Sequence, residues 1–197
     1  AARWSHRGVK VLRIPEKGKS RALYVGFSES RGEVVITMDA DLQYDPRFIP
    51  KFVRRIQEGA DVVNGWRDFR KYPQRKRVLS FIYNTILRSL FRVNVHDSNC
   101  GFKAFSRRAV KKLLAHFRWF EGFHRFLIPA CRALGLTVLE AKVSLLVGAR
   151  SSSHYSDFKR ILNGLSSLVR FSLQYARLKP WLLQCPRFLA PRDYTII

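Results

Sequence analysis

Two carboxylates stand two residues apart in Asp39-Ala40-Asp41, directly after the run Glu33-Val34-Val35-Ile36-Thr37-Met38. A compact β-branched run of this kind reads as a buried strand. A pair of acids at its carboxyl end can offer hard oxygen ligands to Mg2+ or Mn2+ that also binds a diphosphate, with Gln43 a further polar group on the same turn. Ligands of open α/β sheets bind at such strand ends.

Two other stretches point to anions. Gly18-Lys19-Ser20 looks like the end of a phosphate loop, but that motif requires a glycine where Arg13 stands, so a nucleoside-triphosphate loop is excluded. Lys19 and Ser20 still open a predicted helix, whose N-terminus favours an anion; capping by Ser20 is the simpler role. From Trp66 to Arg77 there is no apolar periodicity, and Arg67, Arg70, Lys71, Arg75, Lys76 and Arg77 face Asp68 alone. This reads as a mobile cationic loop suited to phosphate, or as a solvated charged surface.

The elements that must position these groups follow from the pattern along the chain. Val9 to Ile14 alternates as a short strand before Pro15, and a helix is predicted from about Ser20 to Ser30, stopped near Arg31-Gly32. After the Val34–Met38 strand, Asp45 as N-cap and Pro46 at the first helical position open a helix to about Gly59, and Ala60 to Gly65 is another strand. Strand-helix-strand-helix-strand order predicts an α/β, mostly parallel, Rossmann-like sheet with flanking helices. Helices are predicted at 78–91, 107–116 and 123–134, with strands at 102–105 and 137–143. Past the turn Ser151-Ser152-Ser153, the segment from Phe158 to Tyr175 is amphipathic and basic; it reads either as a membrane-interface helix or as ordinary packing on the domain.

Composition bounds the rest. With 197 residues, 37 Lys+Arg against 14 Asp+Glu and 47% hydrophobic residues, the chain builds a core while carrying a net charge of +23. That surplus calls for an anionic partner: nucleic acid, a phosphate-bearing ligand or an acidic membrane. Cys100, Cys131 and Cys185 have neither the spacing of a zinc site nor the number of a disulfide framework, so a reducing compartment is expected. No apolar window is long enough to span a bilayer.

Taken together, several separated motifs in order resemble glycosyltransferase family 2, with the GT-A fold, and within it the polyprenyl-phosphate (dolichol-phosphate mannosyltransferase-like) branch. The resemblance rests on Gly18 to Leu23 with Gly26-Phe27, on Arg31 to Gln43 with Asp45-Pro46, and on Asp61 to Arg67. Asp97-Ser98-Asn99-Cys100-Gly101-Phe102-Lys103-Ala104-Phe105 and His124-Arg125-Phe126 with Pro129 complete it, over roughly Val9 to Lys179. It implies a metal-dependent transfer of sugar from a UDP- or GDP-linked donor to a polyprenyl (dolichyl or undecaprenyl) phosphate. In this picture Asp39 and Asp41 hold the cation and Asp41 and Asp97 are catalytic. Gln43, Arg67, Arg77, Ser80, Lys103, Arg125 and Ser153 bind substrate, the first arginines and Ser80 matching acceptor-phosphate positions.

Asp97 is expected to orient a sugar hydroxyl or hold Lys103, or else to cap the following turn; Cys100 is expected in packing and His124 as a structural histidine. Two departures qualify the likeness. The family's V-P-x-Y-N-E and D-D-G-S segments, which hold base and ribose, do not occur, so the chain is expected to be an N-terminally truncated form with weak or no activity. The family's G-x-S-K-Y-G segment appears as Ser151-Ser152-Ser153-His154-Tyr155-Ser156. The expected division is a partial GT-A domain over 1–150 and a basic membrane-proximal segment over 151–197, peripheral at the cytoplasmic face on an anionic membrane surface. The rival readings are a basic nucleic-acid-binding protein, disfavoured because acids stand at the strand end, and a catalytically dead remnant.

Overall fold

Strand β1 (Val34–Thr37) pairs with β3 (Lys103–Ser106), β3 with β2 (Val62–Arg67), and β2 with β4 (Val138–Val143), giving the order β1-β3-β2-β4. The computed structural model describes residues 8–68, 74–146 and 157–183, with the backbone alone at 76, 157–163 and 179–183. Between the strands lie α1 (Lys19–Glu29), α2 (Ile49–Gln57), α3 (Gln74–Phe91), α4 (Arg107–His116) and α5 (Leu127–Ala133), and α6 (Asp157–Leu183) follows β4. The architecture is α/β, as the sequence predicts, in a mixed sheet in which β1, β2 and β4 run one way and β3 alone runs against them. β3 is hydrogen-bonded antiparallel to both β1 and β2, and β2 and β4 form the parallel pair. β3 passes directly from Ser106 into Arg107 of α4, with Ser106 as N-cap accepting from the Ala109 amide.

Alternation along the strands separates two cores. Val62 and Phe105 face the side covered by α1, α3, α4, α5 and α6, while Val63, Phe102 and Ala104 face α2, where Phe52 stacks on Phe102 at 4.5 Å. Phe171 of α6 is fully buried, stacked on Phe126 at 4.7 Å and edge-on to Phe91 at 4.9 Å. Leu165, Val169 and Leu173, on another face of α6, are more than half exposed. No helix among the described residues is long and apolar enough to cross a membrane.

Four expectations are corrected here. Residues 9–14 form no strand: Val9, Val11 and Leu12 are exposed, and none of the four strands pairs with this segment. Alternation alone does not make a strand without a ladder to join. The predicted loop from Trp66 to Arg77 is shorter at both ends, because β2 continues through Arg67 and α3 starts at Gln74; 69–73 lie outside the described residues. The helices after Asp45 and Gly122 each open with a 3-10 turn, at Pro46–Phe48 and Phe123–Phe126. Asp45 is the predicted cap, accepting from the Arg47 amide at 2.9 Å. The fourth correction concerns Ser20, which does not cap α1; its hydroxyl turns inward to the site.

Candidate active site

The chain leaves β1 at Thr37 and turns so that Asp39 and Asp41 follow the strand's carboxyl end. Asp39 lies against the backbone of Gly101, where a Cβ would stand 2.1 Å from its Oδ2, so only glycine leaves room for the carboxylate. Thr37 Oγ1 donates to the Gly101 carbonyl at 3.1 Å and ties this loop to the strand end. Asp39 Oδ1 accepts from Lys19 Nζ at 2.6 Å. Asp41 is exposed and its Oδ1 accepts from the Gln43 amide at 3.1 Å, closing a turn that holds Leu42 at φ 58. A left-handed leucine is uncommon, and this one sits between the two polar groups of the motif. The donor set fits a hard divalent cation: two carboxylates that leave the remaining positions for phosphate oxygens and water. Among the described residues no third acid, histidine or cysteine joins them.

Behind Asp39 is a cavity of about 40 Å3 that Lys19, Asn99, Lys103 and His124 also line. Lys103 is buried and donates to the Cys100 carbonyl, and burial pulls its ammonium pKa below the ordinary value. The Ser20 hydroxyl accepts from the Gly122 and His124 amides, each at 3.1 Å, and meets His124 Nδ1 at 2.9 Å. With its acceptor positions filled, its own hydrogen goes to Nδ1, which puts the imidazole hydrogen on Nε2. Burial, helped by the nearby Lys19 and Arg125 charges, lowers the His124 pKa to about 3, so the ring is neutral. Arg125 is turned toward α6, its Nη1 3.7 Å from where a Cβ on Gly164 would stand.

A second cluster forms around Asp97, which is fully buried. Both its oxygens are taken by Arg67, Nε to Oδ2 at 2.6 Å and Nη2 to Oδ1 at 2.9 Å. Asp97 therefore neither holds Lys103 nor faces solvent; its carboxylate is the anchor of Arg67. The loop that carries it hangs on Glu140 of β4. That buried carboxylate accepts from the amides of His96, at 3.0 and 2.9 Å, and of Asp97, at 3.3 Å, and from Asn64 Nδ2 at 3.1 Å. It also faces His96 Nδ1 at 2.8 Å, and since a carboxylate only accepts, that nitrogen carries the hydrogen. The His96 ring stacks on Trp66 at 4.0 Å. Trp66, Arg67, Arg77, Lys142 and Phe48 line a cavity of about 690 Å3.

The structure thus brings Asp39 and Lys103 to one pocket and Arg67 and Arg77 to another, with Asp41 and Gln43 on the turn at the strand end. Ser80 is not among the residues lining either pocket; its carbonyl and hydroxyl receive Asn84 Nδ2. Ser153, and the turn around it, lie outside the described residues. Sequence reasoning missed Glu140 and Lys142. The signal was an acid on the Val138–Glu140–Lys142 face of an otherwise apolar strand, where a buried charge implies buried partners.

The model of the family described as "Glycosyl transferase family 2" matches residues 1–114. The undecaprenyl-phosphate 4-deoxy-4-formamido-L-arabinose transferase of Pseudomonas paraeruginosa is 40% identical over 161 residues, 82% of this chain and 46% of that protein. The enzyme of the same name from Pseudomonas aeruginosa is 39% identical over 161 residues, with the same coverage. The chain spans about half the length of these relatives. Among solved structures, glucosyl-3-phosphoglycerate synthase from Mycobacterium tuberculosis, in complex with Mn2+ and uridine-diphosphate-glucose, superposes with a TM-score of 0.62. At 19% identity, over 89% of this chain and 63% of that one, it shares the GT-A fold. With a family match over more than half its length and such relatives, the chain belongs to glycosyl transferase family 2.

Proposed function

We propose that the chain is the catalytic part of a membrane-associated glycosyltransferase that moves a sugar from a UDP- or GDP-linked donor to a polyprenyl phosphate, with Mg2+ or Mn2+. The observation that carries the reading is the Asp39-x-Asp41 pair at the end of β1, with Asp39 fitted against Gly101. The names of the relatives support the acceptor, and the uridine-diphosphate-glucose complex of the structural neighbour supports the donor.

Asp39 and Asp41 would hold the cation, which would supply positive charge to a leaving diphosphate. Lys19, already at Asp39, adds a flexible ammonium at the edge of that charge, and Lys103 a buried one behind it. Neutral His124 can offer Nε2–H as a donor without adding a positive charge. Arg67, held rigid by Asp97, and Arg77 orient the acceptor phosphate; a planar guanidinium suits such an oxyanion. The acceptor is ionised before it binds, so the attacking oxygen needs no strong base to free it. We place the reaction at the cytoplasmic face of an anionic membrane, where the exposed row Leu165, Val169 and Leu173 of α6 meets the interface.

Calorimetry with Mn2+ and a nucleoside diphosphate tests the central point. Asp39→Asn and Asp41→Asn are each expected to abolish metal-dependent binding; unchanged binding in both would overturn the reading.

A further inference from the structure

The larger cavity holds a cation that the family likeness does not supply. Lys142 of β4 shares a strand face with Glu140 and lines the cavity together with Arg67, Asp68, Arg77, Trp66 and Phe48. Its Nζ stands 4.8 Å from the centroid of the Trp66 ring. The stacked His96 ring at 4.0 Å leaves no room on its own side, so the ammonium covers the opposite face of the indole. Asp68 lines the same cavity, but among the described residues the interaction of the Lys142 ammonium is with the Trp66 ring and not with a carboxylate. The exposed Lys142 therefore has only an aromatic face as its partner, a weaker contact than a charge-assisted hydrogen bond to phosphate. A lysine stem is long and flexible enough to exchange one for the other.

We propose that Lys142 is a specificity-determining residue of the acceptor site, moving off Trp66 to meet the terminal monophosphate of an isoprenyl phosphate whose first apolar units lie along Trp66 and Phe48. This rests on the acceptor reading above and adds to it a residue from a different element. Glu140, two residues earlier, positions the other side of the same pocket through His96 and Asp97, so one strand edge organises both walls.

The test uses farnesyl phosphate as a soluble probe, with farnesol and inorganic phosphate as the other arms. Affinity is read by calorimetry, and the environment of the indole by fluorescence, as the difference between the wild type and Trp66→Phe. Lys142→Gln is expected to weaken farnesyl phosphate binding about tenfold, the scale of one charge-assisted hydrogen bond, while Lys142→Arg restores it. The wild-type Trp66 signal should change on adding farnesyl phosphate and not on adding farnesol. If inorganic phosphate binds as tightly as farnesyl phosphate, the site reads free phosphate and the lipid half of the proposal falls. If Arg77→Gln abolishes binding and Lys142→Gln leaves it at the wild-type value, the acceptor reading stands and the role of Lys142 is rejected. If the wild type binds neither phosphate, both fall together.

Discussion

Glu140 receives hydrogen bonds from two backbone amides, an Asn64 amide and a His96 ring, and through Asp97 it determines where Arg67 points. Glu140→Gln would set an NH2 group against donors, with an expected loss of about 3 kcal/mol, the cost of breaking a buried charged network. Urea unfolding measures it, and a change below 1 kcal/mol would show that the loop holds without this carboxylate. His124 makes the pH dependence. Its pKa of about 3 in the fold lies below the value near 6.5 of an unfolded histidine. Above pH 6.5 both states are neutral and no stability is lost. As pH falls from there toward 3, the unfolded chain takes up a proton that the native chain refuses, at a cost approaching about 1.4 kcal/mol per pH unit. Urea midpoints between pH 7 and 5 should fall for the wild type more steeply than for His124→Asn. That Asp39 and Asp41 follow the end of a strand was legible from the β-branched run before them. The role of Asp97 was not, because its partner Arg67 lies thirty positions away and only the β2–β3 pairing brings their neighbourhoods together.

At the scale of elements, α6 has two faces with opposite duties. Phe171→Ala is expected to destabilise the protein by about 3–5 kcal/mol, as removal of a fully buried ring does. Val169→Ser with Leu173→Ser, on exposed positions, should change stability by less than about 0.5 kcal/mol each. The double variant should nevertheless bind acidic vesicles more weakly, and co-sedimentation equal to that of wild type would leave the exposed row without a membrane role. The helix was readable from its period, and so was the likelihood of one face being covered; that Phe126 and Phe91 cover Phe171 depends on long-range packing that no periodicity encodes. The direction of β3 was hidden for a similar reason. A strand of four residues carries no mark of parallel or antiparallel pairing, which is decided by its long-range partners β1 and β2.

For the molecule as a whole, the net charge of +23 makes adsorption to anionic bilayers a sum of small terms, about 1 kcal/mol for each basic residue close to the surface. Acidic vesicles should bind the chain and neutral ones should not, with affinity falling as salt is added, because screening shortens the reach to about 10 Å at 0.1 M. The same charge governs the free edge of β1. Among the described residues only one side of Val34–Thr37 is bonded, to β3, and all four residues of the strand are half-buried and carry neither charge nor proline. Such an edge can template another strand, and the mutual repulsion of two chains of charge +23 opposes their approach in dilute buffer. Salt removes that repulsion while leaving backbone hydrogen bonds intact. Colloidal stability therefore runs opposite to bilayer affinity: the ionic strength that releases the chain from vesicles is the one at which sedimentation velocity should first detect self-association, and Ile36→Lys on the edge should suppress it.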